Sequence, residues 1–338
     1  MLCINCGYRS VDASNPRPRS DSMQESGANP LDPFLNDRGF MLLDGGLASS
    51  LEARGCTLDD TLWSARILLE DPESIRQVHL EFLAAGADCI STSSYQATLQ
   101  AFAKRGIVEA EGIEILKRSV RLACEARDAF WDEPANRLRR RRPLVAASVG
   151  PYGAFLADGS EYTGDYSLGE EELYDFHRRR WGILAAAGAD LLACETIPSF
   201  PETRALLRLC DETPDVLAWI SFTCGDDAHL RDGTRLADAV GICDSRSNVV
   251  AVGVNCTSPE RIAALIRIVR DNTEKEVFVY PNSGEVYDAG RKAWTIDTPR
   301  PDWVEMAPEW IRLGAAAVGG CCRTGSAEIA RLRRLLEC

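Results

Sequence analysis

Near the C-terminus, Gly319-Gly320-Cys321-Cys322-Arg323-Thr324 sets two adjacent cysteines behind two glycines, and a third cysteine in a similar setting ends Gly253-Val254-Asn255-Cys256. Neighbouring residues of a strand point to opposite faces. Cys321 and Cys322 can therefore converge on one ion only where the backbone leaves strand geometry, a departure that Gly319 and Gly320 allow. Three thiolates with the fourth position open describe a catalytic zinc better than a structural one, which closes with four protein ligands. Such a centre carries net negative charge and is a weak Lewis acid toward carbonyls or water. It suits a substrate thiol instead, lowering the thiol pKa from about 8.5 to below neutrality while leaving a sulfur electron-rich enough to attack an alkyl group. A reading as three buried thiols without metal fails on the adjacent pair, since a bond between Cys321 and Cys322 would close a strained ring.

These cysteines need a frame that brings positions far apart in sequence to one place. Eight short apolar runs read as strands, at 40–43, 88–92, 144–149, 190–194, 217–222, 249–254, 276–280 and 315–318. Segments of helical period alternate with them, at 73–85, 109–131, 170–187, 201–212, 234–243, 259–271, 302–313 and 326–336. Asp71-Pro72-Glu73 and Ser258-Pro259-Glu260 place a capping side chain before a first-turn proline and an acid. Helix exits repeat as Ala85-Gly86-Ala87-Asp88, Ala187-Gly188-Ala189-Asp190 and Leu313-Gly314-Ala315-Ala316. This alternation over about 300 residues is that of an α/β protein built as a (β/α)8 TIM barrel, with a doubly wound sheet as the runner-up.

A barrel gathers its chemistry at the C-terminal ends of its strands. The residues just past each run are Asp44, Ser93 with Ser94, Ser148, Glu195, Thr223, Asn255 with Cys256, Asn282, and Cys321 with Cys322. Polar groups spread over the whole chain thus ring one barrel mouth, with Cys256 after the sixth strand near the pair after the eighth.

The remaining composition narrows the class. The chain has 338 residues, 45% hydrophobic and 26% charged, enough for a sizeable core, and its net charge of −13 argues against a nucleic-acid surface. No apolar run approaches the roughly 18 residues of a membrane span. Thirteen cysteines in a chain this long do not fit a secreted disulfide framework, so a reducing compartment is expected. Cys89, Cys124, Cys194 and Cys210 read as small buried hydrophobes. Residues 1–36, rich in Ser, Arg, Asn and Pro, read as a disordered tail before a domain spanning 37–338. The lone Cys3-x-x-Cys6 lacks a second ligand pair, and the basic run of Arg137 and Arg139 to Arg142 reads as a solvated loop. His79 and His177 fall in helical patterns and read as structural, and His229 reads as an exposed loop residue.

Eight blocks, in order, carry a resemblance. They are Asp44-Gly45-Gly46-Leu47-Ala48, Thr92 to Thr98, Gly150-Pro151-Tyr152-Gly153-Ala154, Gly159-Ser160-Glu161-Tyr162, Glu195-Thr196-Ile197-Pro198, Gly253 to Cys256, Tyr280 to Glu285, and Gly319 to Thr324. Over residues 40–336 the chain resembles the homocysteine S-methyltransferase family, especially its plant and microbial members using S-methylmethionine or S-adenosylmethionine. The resemblance implies a zinc-dependent enzyme of methionine biosynthesis. One Zn2+ would be held by Cys256, Cys321 and Cys322, and homocysteine thiolate would complete the site before attacking the donor methyl. It further implies that Asp44 and Glu195 hold the ammonium group of homocysteine, that the Thr92–Tyr95 turn, with Ser93 and Ser94, meets its carboxylate, and that Asn255 also binds the substrate.

Tyr152, Tyr162 and Tyr166 are the candidate aromatic contacts for the sulfonium. No catalytic side chain is needed beyond the activated substrate thiolate, and the partners are small molecules. The cytoplasm is the expected address, an organellar one depending on the tail. Two departures from the family pattern, Ser49-Ser50 and Gly325-Ser326, put helix starts in question more than chemistry. Competing readings are a selenocysteine or betaine-type methyltransferase and a zinc- or thiol-binding protein without catalysis. The last leaves Asp44, Glu195 and Asn255 without purpose.

Overall fold

Strands buried on both faces by apolar residues require helices outside and a packed interior. The computed structural model describes residues 29–57, 64–288, 293–295 and 301–337. Its strands are β1 (Met41–Leu42), β2 (Cys89–Ser91), β3 (Leu144–Val149), β4 (Leu191–Ile197), β5 (Ala218–Phe222), β6 (Val249–Asn255), β7 (Glu276–Tyr280), β8 (Val286–Asp288), β9 (Ala293–Thr295) and β10 (Ala315–Val318). Eight of them form one parallel sheet in the order β1-β10-β7-β6-β5-β4-β3-β2, while β8 and β9 form a separate antiparallel pair. A parallel bridge between Leu43 and Cys89 joins the two ends of the eight-stranded sheet. The result is the (β/α)8 barrel, and the doubly wound alternative, which would leave two open edges, is set aside.

Alternation along each strand separates two cores. Met41, Leu43, Ala146, Leu191 and Ala193 pack in the lumen, whereas Leu42, Val145, Leu192 and Cys194 pack outward beneath the helices. Small lumen residues such as Ala146, Ala193, Ala251 and Ala317 make room for Trp219, Phe278 and Tyr280. The tip of Trp219 is satisfied there, its Nε1 donating to the Tyr280 hydroxyl at 2.9 Å.

The eight expected helices are present within two residues at most boundaries, from Pro72–Ala85 to Ser326–Glu337. Asp71 caps the first of these, its side chain accepting from the Ser74 amide. The aspartates of the repeated Gly-Ala-Asp exits have a further job. Asp88 accepts from the Leu42 amide at 2.9 Å and from Arg38 at 2.7 Å, and Asp190 accepts from the Val145 amide at 2.7 Å and from Arg127 at 2.9 Å. Each ties the start of its own strand to a neighbouring one.

Three expectations are corrected. The tail does not extend to residue 36, because Asp32–Arg38 is a helix that buries Leu31 and Phe34 in the lumen cluster just before β1. Residues 1–28, with Cys3 and Cys6, lie outside the described residues. Arg140 is no loop charge in solvent: it donates to the Leu83 and Ala87 carbonyls at 2.7 and 2.6 Å, capping the exit of the Pro72–Ala85 helix. Cys124 is half-buried, whereas Cys89, Cys194 and Cys210 are buried as expected.

Short helices at Leu47–Ala53, Ser64–Glu70, Leu99–Lys104 and Tyr152–Leu156 escaped the periodicity because one or two turns carry too little pattern. Both family departures keep their helix starts. Ser49 accepts from the Arg323 amide at 2.9 Å, and the Gly325 amide donates to Glu328 at 3.0 Å ahead of the helix that opens at Ser326. No helix among the described residues is long and apolar enough to cross a membrane.

Candidate metal and substrate site

Cys256 follows β6 and Cys321 with Cys322 follow β10, so the barrel brings the three together. Their sulfurs lie within 4.8 Å of one another, with Cys256 and Cys322 at 3.4 Å. A tetrahedral zinc with Zn–S bonds of about 2.3 Å sets its sulfurs about 3.8 Å apart, which this range brackets. The donor set therefore fits one such ion with a fourth position left open.

The sharp turns that aim the sulfurs are not made by the glycines in the way the sequence suggested. The left-handed residues are Cys256 (φ 48°) and Arg323 (φ 63°), not Gly319 or Gly320. Non-glycine residues held there store strain, which surrounding contacts must maintain. The glycines serve close approach instead. A Cβ at 319 would stand 2.6 Å from Leu43 Cβ, and one at 320 would stand 2.1 Å from Thr324 Oγ1. The Cys321 amide donates to the Pro281 carbonyl at 2.7 Å, the Ser283 amide donates to the Cys322 carbonyl at 3.1 Å, and Arg323 pairs with Glu285 at 2.8 Å, locking the cysteine turn onto the segment after β7.

The sulfurs are close enough to hydrogen-bond one another. Hydrogen bonds from Cys321 and Cys322 hold the Cys256 thiol well below the usual range, and the same contacts with Cys256 push the other two up. The Tyr162 hydroxyl lies 3.6 Å from the Cys256 sulfur and 3.8 Å from that of Cys322. Asn255 donates to the Cys321 sulfur at 3.7 Å while its amide also brackets Thr196, donating to Oγ1 at 2.8 Å and accepting from the backbone amide at 2.7 Å. Thr196 is itself left-handed (φ 61°), so Asn255 works as a brace between β4 and the cysteine turn.

Above the sulfurs opens a cavity lined by Asp44, Ser93, Glu161, Tyr162 and Glu195 together with the three cysteines, with no lysine, arginine or histidine among its described lining residues. Burial is the main reason that Asp44 is pushed well above the usual carboxylate range, with the charge of Glu195 adding to it. Burial likewise pushes Glu195 and Glu161 up to about 7. Buried carboxylates with no basic neighbour call for a cationic ligand. Asp44 is aimed by the Ser91 amide at 2.7 Å, and Glu195 accepts from the Ser148 hydroxyl and from Tyr280. Ser93 is buried with its hydroxyl unpartnered, as a waiting donor would be.

Of the expected residues, Asp44, Ser93, Glu195, Tyr162, Cys256, Cys321 and Cys322 line this cavity, and four do not. Ser94 spends its hydroxyl on the Ser148 carbonyl at 2.7 Å and on Thr92. Asn255 braces the turn from behind. Tyr152 and Tyr166 stand in an aromatic cluster with Phe155 and Phe176.

Glu202, fully buried, explains that cluster. It accepts from the Tyr152 amide at 2.6 Å, the Tyr166 hydroxyl at 3.1 Å and His177 Nε2 at 2.8 Å. Arg180 can only donate, and it reaches His177 Nδ1 at 2.9 Å, so the proton of the imidazole sits on Nε2. Burial lowers the His177 pKa, keeping it neutral and structural. His229 is in an exposed loop paired with Asp226. Glu161, in Gly159-Ser160-Glu161-Tyr162, is marked out only by its burial, which the sequence does not show.

Comparison with known proteins agrees with this geometry. The family model for homocysteine S-methyltransferase matches residues 41–336. Homocysteine S-methyltransferase YbgG of Bacillus subtilis is 49% identical, over 88% of this chain and 94% of the relative. Selenocysteine Se-methyltransferase of Brassica oleracea var. italica is 44% identical, over 88% of this chain and 89% of that protein. The metallated crystal form of the homocysteine methyltransferase MmuM from Escherichia coli superposes with a TM-score of 0.81 at 45% identity, covering 91% of this chain and all of that one. With the cysteine trio, the acidic cavity and the barrel mouth all in place, the chain belongs to the homocysteine S-methyltransferase family.

Proposed function

We propose that this methyltransferase holds zinc on Cys256, Cys321 and Cys322 and moves a methyl group from S-methylmethionine, or from S-adenosylmethionine, to homocysteine. The observation that carries the reading is the set of three sulfurs within 4.8 Å at the base of a cavity whose charged lining residues are all acidic. Zinc, when bound, supplies the positive charge that keeps the homocysteine sulfur a thiolate at neutral pH.

The residues of the chain do the rest. Asp44 and Glu195 take the ammonium of homocysteine, and its charge compensates two carboxylates that otherwise resist ionisation. Ser93 offers its hydroxyl to the carboxylate of the substrate. The cavity aims the thiolate at the donor methyl: a sulfur lone pair forms the new C–S bond, the old C–S pair returns to the sulfonium, and the donor leaves as a neutral thioether. The thiol proton would pass to solvent water as the sulfur takes the open zinc position, so no side-chain base is required.

A selenol acceptor is the second reading, favoured by the 44% identity to the selenocysteine enzyme. The reaction belongs in a reducing compartment such as the cytoplasm, and we assign the catalytic unit to one domain starting with the Asp32–Arg38 helix. The test is methionine formation from homocysteine with the two donors in parallel, on protein of measured zinc content. Turnover should track zinc. One zinc per chain with no turnover from either donor overturns the proposal.

A further inference from the structure

Glu161 is the one carboxylate of the cavity that the assignments above leave unused. It lies in the single turn Ser160–Tyr162, is only 8% exposed, and its Oε2 has no hydrogen-bond partner. No described cation lies within ion-pair distance of it. Asp44 is tethered by the Ser91 amide and Glu195 by Ser148 and Tyr280, whereas Glu161 faces the same cavity with an oxygen still to satisfy.

Its backbone is held in place from beneath. A Cβ on Gly153 would fall 2.3 Å from the Glu161 amide nitrogen, so only glycine lets the Tyr152–Leu156 helix support the turn this closely. The next residue, Tyr162, reaches two of the three sulfurs at 3.6 and 3.8 Å, which places the turn over the reacting centre. A buried carboxylate oxygen without a donor costs free energy in the empty cavity and is repaired by a positively charged ligand.

Resting on the methyltransferase reading, we propose that Glu161 is the anionic contact for the sulfonium of the methyl donor. The donor brings two further cationic groups, its sulfonium and its own ammonium, beyond the ammonium of homocysteine assigned to Asp44 and Glu195. Its sulfonium loses its charge when the methyl leaves, whereas an ammonium does not. A carboxylate at this position therefore favours the charged donor over the thioether product, binding the first and releasing the second. Because that attraction is strongest before transfer, it sets donor affinity more than the rate of the chemical step.

The test compares wild type with Glu161→Gln, which keeps shape and removes charge, and with Glu161→Asp. Calorimetry on zinc-free protein, where no turnover occurs, gives the Kd of S-methylmethionine, with S-adenosylmethionine run in parallel. Steady-state kinetics at saturating homocysteine give the donor KM and the inhibition constant of methionine against the donor. Glu161→Gln should raise donor Kd and KM by about 30-fold or more, the size expected when one member of a buried charge pair is neutralised. The methionine constant, the homocysteine KM and kcat should stay within about threefold, and Glu161→Asp should recover part of the donor affinity. Donor Kd within about threefold of wild type in Glu161→Gln overturns the assignment, as does equal loss for methionine or for homocysteine. Zinc content and homocysteine affinity of the wild type are read on the zinc-loaded samples used for kinetics. Their failure would sink the functional reading while leaving the sulfonium titration interpretable.

Discussion

Glu195 should make this protein less stable as pH rises, and its glutamine variant should not share that loss. The carboxylate lies in β4, buried at the barrel mouth, and burial pushes its pKa from 4.5 up to about 7. At about 1.4 kcal/mol per pKa unit, a rise of this size favours the protonated folded form by about 3 kcal/mol. Below pH 4.5 both folded and unfolded chains are protonated and the contribution is complete. Between about 4.5 and 7 the unfolded chain ionises first, so stability falls with pH; above about 7 both forms are ionised and the contribution is gone.

Glu195→Gln keeps the hydrogen-bonding shape of the protonated acid and cannot ionise. Urea unfolding of metal-free, ligand-free protein at pH 5, 6, 7 and 8, followed by tryptophan fluorescence, should give stabilities within about 1 kcal/mol of each other at pH 5. By pH 8 the variant should be ahead by about 3 kcal/mol. Removing the Glu195 charge also eases Asp44, whose carboxyl that charge helps to push up, and the effect adds in the same direction. The variant should nevertheless bind homocysteine more weakly, because the amide cannot balance an ammonium. Parallel pH–stability curves for the two proteins would refute the claim that Glu195 is held neutral by burial.

Other perturbations separate the parts of the site. Cys321→Ser should abolish stoichiometric zinc by metal analysis and methyl transfer by assay, while urea stability stays within about 1 kcal/mol because no core element needs the ion; full activity would sink the metal assignment. Gly320→Ala places a Cβ 2.1 Å from Thr324 Oγ1, the hydroxyl that donates to the Cys321 carbonyl at 2.7 Å. The shifted turn should weaken zinc binding by about 10- to 100-fold in a chelator competition, and wild-type affinity would show that the turn has slack. Asp88→Ala strands Arg38 and the Leu42 amide where the sheet closes. The expected loss is about 3 kcal/mol in urea unfolding, and a loss below about 1 kcal/mol would mean that closure does not depend on this clamp.

What sequence could and could not show follows from the range of the forces involved. The strands β3, β7 and β10 have the expected bounds because apolar runs between glycine exits and polar ends are local signals, and the barrel then fixes which ends face the site. Cys256, Cys321, Cys322, Asp44 and Glu195 could be placed at the barrel mouth for that reason: each lies at the C-terminal end of a strand or within four residues of it. Contacts across large separations were not. Gly46 reaches Thr324 across 278 residues, Ser49 reaches Arg323 across 274, and Tyr162 meets Cys322 across 160.

The two misreadings of Gly319-Gly320 and Arg140 share one cause. A glycine can serve either a left-handed turn or a close approach, and an arginine either solvent or a helix end, and only the neighbour in space decides which. Glu161 and Glu202 make the same point with opposite outcomes. Both are buried glutamates near the barrel mouth, yet Glu202 has its oxygens taken by Tyr152, Tyr166 and His177, while Glu161 keeps one oxygen unpartnered in the cavity. Saturated hydrogen bonding makes the first a scaffold, and the unmet bond makes the second a place where a ligand gains free energy.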